Sequence, residues 1–557
     1  MTLEHVDISV KPEGVTDLLE ILREHYFLSP DGKNADYAVN LVEIAVHAVV
    51  SSQGEAPTYP IATELSSISQ VIETAEVPSR IVSDHDAYLR RLPFLMQGAV
   101  RGGHPFMVKN IIPTASLPAL AAYYAVSPLM ANGVTGEDAA QILMAEPACA
   151  SALSKLAGFD HNKSGGVFTF GGTGTNLYAI KIGLSKALPN HHMTGVREDV
   201  VVIESAPSHY SHRTATDWLG IGQNNLVKVS SNRDQTTNLE ELEEKMRGVI
   251  ESGRKIACIV AVGGTTSNMG IDDIKQINEM RERLGVEYKL SYNPHLHVDS
   301  VLGWAYLNFS SYDFASNPLG FRPQILQQIH KIVDRVSTYR YADSFGVDFH
   351  KTGYVAYNSS MLIVRDRKDL MRLQRDGNTM TPLFHDEQAY NPGQFTLETS
   401  RSAANMLASW IALQTFGQEG YQALLGHNLE MGSVFREGIK NNIDKGLYLA
   451  NQEFGGSDVF VRCYPIGIDS REEYEIEMKD DRALQRNNEY TSRFFKWLSK
   501  NDRGFVSKTT AAIYTDTGAS MVALRIYPLS PYITEQTAKQ LIDGLAKAKM
   551  QFDTEDN

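Results

Sequence analysis

The sequence is poor in cysteine and in positive charge. The three cysteines, Cys149, Cys258 and Cys463, are too few for a disulfide framework and too widely spaced for a zinc pattern, which favours a reducing compartment. The 52 lysines and arginines are outnumbered by 66 aspartates and glutamates, and the net charge of −14 disfavours binding to nucleic acid or to anionic membranes. An anionic ligand would therefore need a local pocket.

The sequence also lacks long apolar runs. No stretch approaches the roughly 20 apolar residues that cross a bilayer. The beginning of the chain, "MTLEHVDISVKPEG", has acidic residues where a signal peptide needs a basic start. We therefore expect neither secretion nor membrane insertion, and a cytoplasmic location.

Strand-like and helix-like segments alternate from residue 199 onwards. "DVVVIES" and "KIACIVAVGG" are typical of buried strands, whereas "NLEELEEKMRGVIESGR" and "IDDIKQINEMRERLG" are typical of amphipathic helices. Such alternation predicts an α/β fold with a mainly parallel sheet flanked by helices. Ligands of such sheets bind beyond the carboxyl ends of the strands.

The hydrophobic content of 43% over 557 residues is more than one core needs, so we expect several subdomains. Residues 1–105 have a mixed helical pattern and predict an N-terminal helical segment. Residues 106–394 predict the large α/β domain. Residues 395–557 combine a long segment of helical pattern with the predicted strands "FVRCYPI" and "MVALRIYPL", which predicts a small α+β domain.

Two features at predicted strand ends suit an anionic, ring-shaped ligand. "FTFGGTGTNLYAIKIGL" predicts a strand, a Gly/Thr turn at residues 171–175, and a helix that opens near Asn176. Such a turn presents N–H groups to phosphate, although it is equally consistent with a tight turn in a sheet. In "ESAPSHYSH", His209 follows a strand, where it is either a surface histidine or a ligand-binding one.

Two further features place ionisable residues in buried strands. In "HLHVDSV", His295, His297 and Asp299 share one face of an extended strand, and such a set could hold a metal. In "DFHKTGY", Lys351 follows a stretch that is predicted to be a buried strand. A buried lysine is costly unless it is neutral, paired or covalently bound, and the alternative is a side chain that extends to the surface.

Together these four features are the parts of a pyridoxal 5'-phosphate (PLP) site. The lysine would attach the cofactor as a Schiff base, and the aspartate would pair with the ring nitrogen. The histidine would stack on the ring, and the Gly/Thr turn would bind the phosphate.

The ordered motifs resemble those of the group II PLP-dependent amino acid decarboxylases, which include aromatic amino acid, tyrosine and glutamate decarboxylases. The resemblance covers residues 100–430. The motifs that carry it are "HPFMV", "PTAS", "EPAC", the Gly/Thr turn, "SHYS", "GGTTSNMGIDDI", "HVDS", "DFHKTGY" and "LETSR".

The resemblance implies a PLP-dependent transferase fold of type I, with a seven-stranded sheet, and a homodimer whose active sites lie at the interface. Lys351 matches the Schiff-base lysine, Asp299 the partner of the ring nitrogen, and His209 the stacking histidine. Further positions match residues that bind the cofactor or line the substrate pocket. They are Gly172, Thr173, Thr266, Asp348 and His350 for the cofactor, and Thr114 for the substrate.

Two positions depart from the family pattern. Val301 replaces a small residue beneath the ring. Gly377 stands where relatives carry a loop tyrosine that donates a proton to Cα after CO2 has left, and Tyr390 or His385 are the candidates to replace it.

The expected activity is decarboxylation of an L-amino acid, with an aromatic, tyrosine-like substrate favoured, to an amine and CO2. The alternative within the same cofactor class is decarboxylative oxidative deamination, in which the amino acid loses CO2 and gives an aldehyde. Outside that class, a metal hydrolase built on His295, His297 and Asp299 and a nucleotide-binding module remain as alternatives, and neither would require PLP.

Overall fold

The computed structural model describes residues 14–61, 64–82, 84–264, 269–375, 390–453, 455–501 and 507–556. The chain forms two compact units, residues 1–104 and 105–557. Among the described residues, no helix is both long enough and apolar enough to cross a membrane.

The first unit is helical as far as it is described, and none of its described residues is buried. The helices among its described residues are α1 (Val15–His25), α2 (Ala35–Ser51), α3 (Ile68–Thr74), α4 (His85–Leu89) and α5 (Leu92–Leu95).

The second unit contains a seven-stranded sheet. Its strands are β1 (Gly165–Thr169), β2 (Val200–Ser205), β3 (Leu226–Val229), β4 (Lys255–Val262), β5 (His295–Asp299), β6 (Ser344–Asp348) and β7 (Ser360–Val364). They are arranged in the order β1-β7-β6-β5-β4-β2-β3, and only β7 runs antiparallel to its neighbours. The expectation of a mainly parallel, seven-stranded sheet is confirmed.

Helices and short 3-10 segments connect and cover these strands. The α-helices are α6 (Leu117–Val126), α7 (Gly136–Leu143), α8 (Ala145–Ala157), α9 (Gly172–Ala187), α10 (His191–Thr194), α11 (Ser211–Trp218), α12 (Leu239–Glu251), α13 (Ile274–Glu287), α14 (Pro323–Val336) and α15 (Lys368–Met371). The 3-10 segments are Ser127–Leu129, Gln223–Asn225, Gly303–Phe309, Ser337–Tyr341 and Pro392–Gln394. The central strands are buried along their whole length, as parallel strands covered on both faces must be.

Helix α12 illustrates how the sequence specifies these elements. The Asn238 side chain caps the helix by accepting a hydrogen bond from the Glu241 N–H. Leu242, Met246 and Val249 then recur at helical spacing and are buried.

Helix α9 begins four residues before the predicted start. The helix opens at Gly172 rather than near Asn176, because Gly171 (φ 119°) caps it directly after the strand. A left-handed φ of this kind is readily adopted only by glycine. Gly172 and Thr173 therefore belong to the first helical turn, not to a loop before it.

The C-terminal part of the second unit has its own sheet. Its elements are α16 (Ala404–Lys440), the 3-10 segment Ile443–Lys445, β8 (Leu447–Leu449), β9 (Val459–Cys463), α17 (Ser470–Glu477), α18 (Asp481–Asn501), β10 (Ser507–Tyr514), β11 (Ser520–Ile526) and α19 (Glu535–Asp556). The four strands are antiparallel in the order β10-β11-β9-β8. The strands expected in "FVRCYPI" and "MVALRIYPL" are thus present, while the domain boundary at residue 394 stays a prediction.

Asp458, which precedes β9, is a buried carboxyl whose two side-chain oxygens have no hydrogen-bond partner among the described residues. Burial raises the pKa of Asp458 to about 6, although the charge of Arg436 opposes the rise. The ordinary value of 3.8 applies in the unfolded chain. The charged form therefore destabilises the fold above pH ~6, and this penalty fades as the pH falls towards ~4.

We expect Asp458→Asn to raise the Tm of the protein at pH ~8, by the equivalent of roughly 3 kcal/mol at most. The gain should shrink towards zero near pH ~4.5. Thermal unfolding followed across this pH range tests the prediction, with exposed Asp444→Asn as the control for the loss of one charge. A lower Tm at pH ~8 would mean that the carboxylate is bound by another group.

Candidate active site

The candidate site lies at the carboxyl edge of the large sheet. Asp299 ends β5 and Asp348 ends β6, and these strands are parallel neighbours. The two carboxylates therefore reach the same edge. The first residue of α9 lies against this edge, because a Cβ on Gly172 would be 3.0 Å from both Asp348 carboxylate oxygens.

Lys351 is held at this edge by Asp348. Its Nζ lies 2.8 Å from Asp348 Oδ2, and Asp348 Oδ1 accepts a hydrogen bond of 2.6 Å from the Ser360 hydroxyl. The Lys351 side chain is 13% exposed, so the amine is partly buried rather than extended into solvent. The ion pair with Asp348 explains how a charged amine is tolerated in buried surroundings.

The two carboxylate oxygens of Asp299 differ in their hydrogen bonding. Its Oδ2 accepts hydrogen bonds from His212 Nε2 (3.1 Å) and from Asn176 Nδ2 (3.2 Å). Its Oδ1 is buried and has no partner among the described residues. Burial alone would raise the pKa of Asp299, but the hydrogen bond and positive charge of His212 outweigh it and hold the pKa well below its usual range.

His212 connects Asp299 to a second acid. The His212 Nδ1 lies 2.7 Å from Glu204 Oε2, and all three side chains are buried. Burial by itself would lower the pKa of His212, but its hydrogen bonds to Asp299 and Glu204 raise it to about 9. Neither His212 nor Glu204 was predicted from the sequence. The available signal was a second histidine in "SHYSH" and an acid inside the strand "VVVIES".

A second chain of hydrogen bonds also reaches Asp299. Asn176 Oδ1 accepts from His297 Nε2 (3.0 Å), and His297 Nδ1 lies 2.8 Å from the Ser344 hydroxyl. That hydroxyl also lies 2.8 Å from His295 Nε2, and His295 Nδ1 lies 3.0 Å from Lys186 Nζ.

This chain bears on the metal alternative. Burial lowers the pKa of His297 to about 3 and that of His295 well below its ordinary value, so both rings are neutral. Both ring nitrogens of each histidine already face protein partners, so a metal would have to displace them. No set of three or more metal-ligating side chains is found in the described part of the chain.

His209 follows the carboxyl end of β2, which is parallel to β4, as β4 is to β5, and so reaches the same edge of the sheet. Burial lowers the pKa of His209 to about 4, although the charge of Asp299 opposes the fall. Its Nδ1 accepts a hydrogen bond of 3.2 Å from the Ser211 N–H. We therefore assign a neutral imidazole with its proton on Nε2.

The residues present fit PLP on three observations. The unpartnered Oδ1 of Asp299 is an acceptor for a protonated ring nitrogen. The first N–H groups of α9 lack intrahelical acceptors and can bind phosphate. Thr173, in that first turn, is exposed, and Gly172 carries no Cβ that would crowd Asp348 or Val301.

His350 contacts the same carboxylate as Lys351, and the segment that contains Thr114 is bonded to the turn that follows Lys351. His350 Nε2 is 3.6 Å from Asp348 Oδ2, and its ring packs on Tyr357 with centroids 4.3 Å apart. Thr114 is half-buried. Its segment is joined to the lysine turn where the Ser116 N–H donates to the Tyr354 carbonyl at 2.7 Å.

Tyr390 is engaged elsewhere. Its hydroxyl donates to Glu146 Oε1 at 2.8 Å, and Glu146 also pairs with Arg401 at 2.9 Å. Burial and the Glu146 charge raise the pKa of Tyr390 well above its ordinary value. The described polar contact of Tyr390 is thus with Glu146, not with Lys351 or Asp299. Three other positions from the sequence analysis lie outside the described residues: Thr266, Gly377 and His385.

Among known proteins, similar chains are amino acid decarboxylases of several specificities. L-2,4-diaminobutyrate decarboxylase of Rhizobium meliloti is 24% identical over 62% of this chain and 63% of its own length. Aspartate 1-decarboxylase of Aliivibrio fischeri is 25% identical over 50% of this chain and 48% of its own length. L-tyrosine decarboxylase of Enterococcus faecium is 26% identical over 41% of this chain and 39% of its own length. The chain thus spans less than two thirds of each of these relatives.

The crystal structure of mouse CSAD in its apo form matches with a TM-score of 0.74 at 19% identity. It covers 92% of this chain and 99% of the mouse chain, which establishes the fold. The family model of the pyridoxal-dependent decarboxylase conserved domain matches residues 90–456. With Lys351, Asp299, His209 and the start of α9 gathered at one edge of the sheet, the chain belongs to the pyridoxal-dependent decarboxylase family.

Proposed function

We propose that this protein decarboxylates an L-amino acid to the corresponding amine and CO2, with PLP attached to Lys351. The observation that carries the proposal is the ionised, buried Asp299 with one open oxygen at the sheet edge that also holds the Lys351 amine. When bound, PLP supplies a protonated pyridine ring that accepts the electron pair of the broken Cα–carboxylate bond.

The chain's own residues supply charge, orientation and protons. Asp299 Oδ1 would accept a hydrogen bond from the protonated ring nitrogen and hold the proton there. Asp348, whose Oδ2 lies 2.8 Å from the Nζ of Lys351, would stabilise that amine in its charged form. The Nε2–H of His209 is available to orient a substrate carboxylate, because its Nδ1 is occupied by Ser211. Orientation of this kind lowers barriers by several kcal/mol in enzymes generally.

For the substrate, we propose an aromatic, tyrosine-like amino acid. The support is the amino-acid sequence of two segments, "DFHKTGY" and "PTAS", which resemble those of aromatic and tyrosine decarboxylases. The two segments are joined by the hydrogen bond from the Ser116 N–H to the Tyr354 carbonyl. The names of the similar proteins span diaminobutyrate, aspartate and tyrosine, so the competing substrates are basic and acidic amino acids.

We also propose a cytoplasmic homodimer. The dimer is supported by the exposed apolar side chains of the first unit, including Val15, Phe27, Val39 and Val46, because apolar surface of this kind marks an interaction site.

A screen of the twenty amino acids for CO2, amine, aldehyde and peroxide tests the activity. We expect amine and CO2 in equal amounts, with tyrosine or a related aromatic substrate turned over fastest. Aldehyde with peroxide would support the oxidative alternative, and turnover of aspartate or diaminobutyrate alone would contradict the aromatic proposal.

Lys351→Ala should abolish both turnover and the visible absorption band of the lysine-bound cofactor. The exposed Lys368→Ala variant should retain both. A band that persists in Lys351→Ala would assign the attachment to another lysine.

Tyr390→Phe tests whether Tyr390 is the proton donor. The contact with Glu146 predicts a structural role, so we expect a lower Tm, by the equivalent of about 1–3 kcal/mol, with an unchanged ratio of amine to aldehyde. A rise in aldehyde at unchanged Tm would instead support the proton-donor role.

A further inference from the structure

Glu204, His212 and Asp299 form a row of three charged groups in the interior of the large sheet. Glu204 lies in β2, His212 in the first turn of α11, and Asp299 at the end of β5. Their residue exposures are 4%, 0% and 1%. The two hydrogen bonds that join them measure 2.7 Å and 3.1 Å and use both ring nitrogens of His212.

A hydrogen bond from each ring nitrogen to a carboxylate requires a proton on both nitrogens. His212 is therefore an imidazolium between two carboxylates, in agreement with its raised pKa of about 9. The exposed Lys228 is a weak competitor, because its Nζ lies 3.8 Å from Glu204 and its side chain is 56% exposed. Among the residues that the structure describes, the positive charge within hydrogen-bonding distance of Asp299 is thus that of His212.

The second arm on Asp299 Oδ2 carries no charge. Asn176 donates to this oxygen and is itself oriented by neutral His297. The structure thus separates two tasks. The Asn176–His297 arm orients the carboxylate, and the His212–Glu204 arm keeps it ionised in a place where burial favours the protonated form.

We propose that His212, supported by Glu204, is a positioning residue that makes this site selective for a cofactor with a protonated ring nitrogen. This inference rests on the proposed function. It adds that the negative charge of Asp299 is maintained by two other residues, Glu204 in β2 and His212 in α11. Both ring nitrogens of His212 are hydrogen-bonded to carboxylates, so neither is free to contact the cofactor.

The test compares two probes that differ only at the ring nitrogen. PLP has a basic nitrogen there, and 1-deazapyridoxal 5'-phosphate has a C–H group in its place while keeping the aldehyde and the phosphate. Dissociation constants of both are measured on the cofactor-free full-length protein by equilibrium dialysis. In the wild-type protein we expect PLP to bind more tightly by about tenfold or more, as a charged hydrogen bond predicts.

His212→Gln keeps a side-chain donor but removes the charge. The preference for PLP over the deaza analogue should fall to about twofold or less, because the positive charge that favours the ionised form of Asp299 against burial is then lost. A general loss of structure would weaken both probes equally and leave the ratio unchanged. Glu204→Gln keeps the histidine and should reduce the same ratio by a smaller factor, and it serves as the second variant if His212→Gln fails to fold.

The matched control is His297→Gln, which removes a neutral buried histidine from the other arm. In this variant, the ratio of the dissociation constant of the deaza analogue to that of PLP should stay at the wild-type value, even if both constants rise. An unchanged ratio in folded His212→Gln, or an equal fall in His297→Gln, would overturn the proposal while leaving the proposed function intact. Absence of PLP binding to the wild-type protein would instead overturn the proposed function.

Discussion

The site depends on one constraint, which is that a carboxylate must stay negatively charged where almost no water reaches it. Asp299 is 1% exposed, and burial alone favours its protonated form. The charge of His212 reverses that preference, and Glu204 in turn keeps His212 protonated. A protein that needed only a stable core could fill such positions with apolar side chains at no loss. The buried charges are therefore better explained by ligand binding than by stability.

The sheet brings the remaining parts to the same edge. Parallel pairing of β5 and β6 aligns Asp299 with Asp348, and the early start of α9 at Gly172 brings a helix N-terminus against Asp348. Lys351 follows within three residues and pairs with that carboxylate. Cation, anion and helix terminus thus come from different parts of the chain, but each from a strand end or the turn that follows it.

Much of this arrangement could be predicted from the sequence, because strand–helix alternation and the residues at strand ends are local properties. The α/β fold, the parallel sheet and the positions of Lys351 and Asp299 follow from such patterns. His212 could not be assigned in the same way, since its partner Asp299 is 87 residues away and their contact depends on strand order. Tyr390 was a candidate from its place in the loop region alone, and its contact with Glu146 depends on long-range packing that no local pattern reveals.

The most direct test of the account is to identify the residue that binds the cofactor. The protein is loaded with PLP, reduced with borohydride to convert the C=N bond to a stable amine, digested, and analysed by mass spectrometry. The account predicts a single pyridoxyl adduct, on Lys351. An adduct on another lysine, or no adduct after loading, would contradict it.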